Sequence, residues 1–132
     1  MTTQKTLPYR GRIQALLSQA GQTCFVTTHI EGQATALYRL DTRSSVMTLT
    51  TQALPCGATA LLTVQQTGQA DQLWLAGTDG RLYVSDWAGA TPTVLAGVQL
   101  DLSQGLTLAL AQLGTHVAIL QAQCLSLLPI PA

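Results

Sequence analysis

Charge is what this sequence has least of. Six Lys and Arg residues and six Asp and Glu residues serve 132 positions, 9% of the chain, and the net charge is +0. Soluble domains ordinarily give about a quarter of their residues to these four types. A surface so poor in cations cannot hold a nucleic acid, which needs a basic face. It cannot hold a membrane through a polybasic patch either. Low charge favours surface that is buried against another chain, because a lone domain carries more charge to stay dispersed.

Cysteine, histidine and aromatic residues are also few. Cys24, Cys56 and Cys124 are the three cysteines, and no two have Cys-x-x-Cys spacing. An odd number excludes a complete disulfide framework and leaves reduced thiols in a cytoplasmic protein as the expectation. His29 and His116 have no cysteine or carboxylate at ligand spacing. No metal or other cofactor is therefore expected. Phosphate-loop, nucleophile-elbow and zinc-hydrolase patterns are missing. Asp79 and Asp86 are the best-placed carboxylates, and each reads as a turn or strand-end hydrogen-bonding residue. The chain is not expected to be an enzyme. Aromatics make up 5%. Trp74 and Trp87 are expected to pack in a core, since a sugar-binding platform uses many aromatics.

Two terminal stretches bear on location. Residues 1–12 hold Lys5, Arg10 and Arg12 but no apolar segment, unlike a secretory signal. After Asp101 there is no charged residue at all. Polar residues such as Gln112, His116 and Gln121 break the apolar run, which ends at Pro129 and Pro131. A spanning helix would bury those groups in lipid at high cost, so buried strands are expected and a membrane is not.

What the sequence does have is turns and alternation. Leu73-Trp74-Leu75-Ala76 and Arg81-Leu82-Tyr83-Val84-Ser85 flank Gly77-Thr78-Asp79-Gly80. Asp-Gly between two such runs is a strong hairpin signal, because Gly80 accepts the positive φ that the turn needs. Asp79 and Gly80 are accordingly assigned a structural role in the turn.

A repeat extends from this hairpin. Gly11, Gly57 and Gly105 each lead into an apolar run, and they recur at about 45-residue spacing. A polar loop and a second strand follow each: 23–28, 73–76 and 117–120. Third strands are expected at 34–40, 81–85 and 124–128. Fourth strands are expected at 45–50 and 93–96 only. The stretch Arg12 to Ala20 also fits a helical stripe, but its alignment with the other two runs predicts a strand. Four short antiparallel strands per unit are the pattern of a β-propeller blade.

Residues 73–87 resemble a blade of the WD-repeat propeller family. Gly77-Thr78-Asp79-Gly80-Arg81-Leu82 is similar to that family's turn between second and third strands. Asp86-Trp87 stands where the family has Trp-Asp, in reverse order. Gly11, Gly57 and Gly105 match its opening Gly-His without the His. The expected fold is all-β: a single partial propeller domain over 1–132, with blades at approximately 11–56, 57–104 and 105–132. The resemblance implies a rigid, non-catalytic scaffold or protein–protein interaction module. The alternative is a carbohydrate- or small-ligand-binding, lectin-like oligomer.

Two full units and three strands of a third are too few for a closed propeller. Completion by a protein partner or by a second copy is therefore expected, two copies giving six blades. Residues 5–10 are a candidate closing strand, with Pro8 tolerable on an outer edge. Leu7, Tyr9, Arg10 and Arg12 are the candidate interface residues.

Overall fold

The computed structural model describes residues 13–19, 22–27, 36–41, 48–53, 56–86 and 92–131. These form an all-β chain of three antiparallel sheets. The first contains β1 (Ile13–Gln19), β2 (Gln22–Thr27), β3 (Ala36–Asp41) and β4 (Thr48–Ala53). The second contains β5 (Ala58–Val64), β6 (Gln72–Gly77), β7 (Leu82–Asp86) and β8 (Thr93–Val94). The third contains β9 (Thr107–Leu113), β10 (His116–Gln121) and β11 (Cys124–Pro129). In each sheet the spatial order is the chain order, and none closes on itself. The helical content of the described residues is one 3-10 turn at Leu102–Gln104.

One irregularity recurs in all three sheets. The first strand carries an extra residue between Ile13 and Ala15, between Ala58 and Ala60, and between Thr107 and Ala109. Such a bulge bends the strand and increases its twist. It also aligns the three units residue by residue. Ala15, Ala60 and Ala109 occupy one position, and their second-strand partners are Val26, Ala76 and Leu120.

The sheets stack in order, with β5 in contact with both β1 and β9. Register divides the second sheet into two faces, because residues directly opposite each other project to the same side. The rows Leu62–Trp74–Val84 and Ala60–Ala76–Leu82 form one face. They pack against Val117 and Ile119, with Leu110, Leu128 and Ile130 at the margin. The rows Leu61–Leu75–Tyr83 and Thr63–Leu73–Ser85 form the other face, on the side of the first sheet. Leu61, Leu73, Leu75, Tyr83 and Ser85 are all buried there. The strand β6 is thus enclosed on both sides, and Trp74 is 1% exposed. Truncating an indole in such a place costs about 3–5 kcal/mol.

The third unit departs from expectation. Buried strands are expected after Asp101, and β10 is buried on one face only. Val117 and Ile119 are buried, yet Leu120 is 43% exposed. The physical reason is that, among the described strands, only one side of the third sheet has a sheet against it. The strand expected from Gly105 begins instead at Thr107. Asp101 accepts a hydrogen bond from the Ser103 amide at 2.9 Å and starts the 3-10 turn, which Gly105 ends at φ 98°. β4 lies three residues later than expected, and β8 is only two residues long. Leu7, Tyr9, Arg10 and Arg12, the candidate closing strand at 5–10, His29 and Trp87 lie outside the described residues. Among the described residues no helix is long and apolar enough to cross a membrane.

Candidate functional site

Three features lie outside the packed core: a polar corner, a glutamine-lined cleft and an uncovered sheet face.

The corner lies at the β6–β7 hairpin. Gly80 sits in the turn at φ 81°, with its amide donating to the Gly77 carbonyl at 3.2 Å. A Cβ there would stand 2.9 Å from the Leu100 carbonyl oxygen. Asp79 ties the turn from within. Its Oδ1 accepts from the Arg81 amide at 3.0 Å, and its Oδ2 accepts from the Tyr83 hydroxyl at 2.5 Å. Cys56 closes the cluster. A Cβ on Gly77 would come within 2.8 Å of Cys56 Sγ, 2.5 Å of Asp79 Oδ1 and 2.9 Å of Tyr83 Cε2. Burial raises the Cys56 thiol above its ordinary value, and the Asp79 carboxylate adds to this, while the Tyr83 hydroxyl works the other way. Burial and the bond to Asp79 raise Tyr83 as well. A thiol held protonated is a poor nucleophile. The corner fastens a hairpin to the loop before β5, where the Thr78 amide donates to the Gly57 carbonyl at 2.8 Å. Asp86 is the last residue of β7. Among the described residues no group of three or more His, Cys, Asp or Glu could hold a metal.

The cleft of about 480 Å³ opens between the loop after β5 and the β9–β10 turn. Gln65, Gln66, Thr67, Gln69, Gly114, Thr115 and Ile130 line it. A clasp joins the same two segments. Gln112 Oε1 accepts from the Gln65 amide at 2.9 Å, and Gln112 Nε2 donates to the Gln65 carbonyl at 2.7 Å. Neutral amides, hydroxyls and the apolar Ile130 line this space without an aromatic ring. Trp74 is buried in the core and supplies no stacking surface to it.

The third feature is the far face of the third sheet. Register places three rows on it: Ala109–Leu120–Leu125, Ala111–Ala118–Leu127 and Leu113–His116–Pro129. Leu113, Leu125 and Leu127 are 57%, 67% and 60% exposed, and Leu108 beside the bulge is 62% exposed. A monomeric protein rarely leaves so many large apolar side chains contiguous and wet. Eight of the nine row residues are apolar, and none is charged. Among the described residues no strand pairs with the outer edge of the same sheet. The Ile130 amide donates to the Thr115 carbonyl at 2.8 Å, which fixes the phase of the β10–β11 ladder. Bonded pairs alternate along an antiparallel ladder, so the backbone groups of Leu125 and Leu127 turn away from β10. Face and edge meet on β11.

The reading from sequence looked for the interface at Leu7, Tyr9, Arg10 and Arg12, and the exposed leucines of β9–β11 were missed. Their signal was present: no residue after Asp101 is charged, on strands apolar on both faces. Asp79 and Gly80 lie together in the turn, about the hairpin and not about the face. A scan against protein-family models, a search of curated proteins and a search of solved structures each found no match.

Proposed function

We propose that this chain is a non-catalytic protein–protein interaction module, an incomplete propeller-like stack that is finished by a further sheet. The supporting observation is the uncovered apolar face of β9–β11, at the end of a stack whose middle sheet is covered on both sides. A sheet added there would repeat the packing already made between the second and third sheets. An added strand on β11 would take up the free backbone groups of Leu125 and Leu127. The carbohydrate-binding reading has less support, because Trp74 is enclosed and the cleft lacks an aromatic wall.

A photo-reactive amino acid at Ala118, the centre of the exposed face, tests this in the native cell. Covalent protein adducts are expected from position 118 and not from a control probe at Gln69 in the loop after β5. Equal labelling from both positions, or no protein adduct from 118, would overturn the reading.

A further inference from the structure

We infer that this face meets an uncharged, apolar surface of another protein, and that His116 makes the contact pH-sensitive, releasing the partner when its ring takes up a proton. This rests on the interaction-module reading and adds the chemistry of the partner and the control of its binding.

Charge complementarity argues for the partner. The rows of the exposed face hold no Asp, Glu, Lys or Arg, and no such residue follows Asp101 in the chain. A charged group pressed against this face would lose its water and gain no opposite charge. An uncharged, apolar surface loses nothing of that kind, and it gains the burial of Leu113, Leu125 and Leu127.

His116 is the one polar side chain in those rows and their one titratable group. Register sets it between Leu113 of β9 and Pro129 of β11, and Ala118 is the next residue of β10 on the same face. A partner that covers Leu113 and Leu127 spans this position as well. Thr115 Oγ1 lies 3.2 Å from His116 Nδ1. The hydroxyl can donate to a bare Nδ1 or accept from a protonated one, so the contact is made in both forms and locks the ring in neither.

The other titratable groups nearby belong to the opposite face. Cys124 of β11 pairs with the buried Gln121 there. The loop after β5 meets the sheet through Gln112, in the row of the buried Val117. Its Asp71 accepts from Gln65 Nε2 at 3.4 Å. An imidazolium on the exposed face would thus be covered by the partner without a carboxylate in its own rows. The covered ring binds a proton less well than the free one. The contact is therefore complete above the pH at which the free ring titrates, and it drains away as pH falls through that point. Histidine ordinarily titrates near about pH 6.5, and a contact open only to the neutral ring weakens about tenfold for each pH unit below.

The test uses the full chain with the photo-reactive amino acid at Ala118, added to extract of the native cell at about pH 7.5 and about pH 5.5. Adduct from position 118 is expected at the higher pH and is expected to fall several-fold at the lower. His116→Gln, neutral throughout, is expected to give the same adduct at both values, and His116→Lys is expected to give little at either. Circular dichroism at both pH values checks folding, and His116→Ala replaces His116→Gln if that variant unfolds. Equal adduct from the unaltered chain at both values would overturn the switch and leave the interaction module standing. A fall that persists in the neutral variant would also overturn it, since another group would be titrating. More adduct at the lower pH would overturn the apolar partner in favour of one that presents a carboxylate to His116. No protein adduct from position 118 at either value would overturn the interaction module and this inference with it.

Discussion

Tyr83 shows how much of this molecule hangs on single contacts. Its hydroxyl reaches Asp79 at 2.5 Å from a buried ring, and both burial and that bond favour the protonated form. Tyrosine ordinarily ionises at 10.0, and here the folded value is raised. In the unfolded chain Tyr83 ionises near its ordinary value. Its stabilising contribution is therefore complete below pH 10 and drains away as pH rises above it. Tyr83→Phe should cost about 1–2 kcal/mol at neutral pH, a hydrogen bond with a partly exposed carboxylate partner. The gap between variant and parent should narrow above pH 10, and urea melts across that range would show it. A gap that stays constant would mean that the hydroxyl does not carry the difference. Gly80 is the other residue on which the hairpin depends. At φ 81° and 2.9 Å from the Leu100 oxygen, a β-branched side chain meets both a poor backbone region and a backbone atom. Gly80→Val should destabilise by about 2 kcal/mol or more. Thermal melts of the variant indistinguishable from the parent would contradict that geometry.

Elements were legible where polarity alternates cleanly. In Leu82-Tyr83-Val84-Ser85 two faces are evident, and the Asp-Gly pair marks the turn before them. Gly105 precedes β9 by two residues, as Gly11 precedes β1, but the local cap formed by Asp101 and Ser103 is not revealed by the spacing of glycines. The bulge was invisible as well, since Ala60 and Ala109 look like ordinary strand positions. The uncovered face could not be assigned from Thr107-Leu108-Ala109-Leu110-Ala111-Gln112-Leu113, because alternate positions are apolar on both sides. Only the register shows that Leu110 turns inward and Leu113 outward. Gln112 adds a tie between units that no pattern announces. Its amide joins β9 to the loop after β5 through bonds of 2.9 and 2.7 Å. Gln112→Ala should cost about 1–2 kcal/mol and speed amide exchange at Gln65. Unchanged exchange at Gln65 would show that the clasp does not hold the loop.

At the scale of the whole molecule, three sheets of one kind are stacked in order, and only the middle one is covered on both sides by described strands. Low charge and the exposed leucines of β9–β11 are what the proposed interaction module calls for. The measurement closest to this claim is sedimentation equilibrium of the purified chain over a wide concentration range, with an apolar dye added in parallel. The account predicts that the chain binds the dye at 13.9 kDa and loses that binding in any heavier particle in which the face is covered. A folded, cooperative monomer at 13.9 kDa throughout, binding no dye, would contradict it.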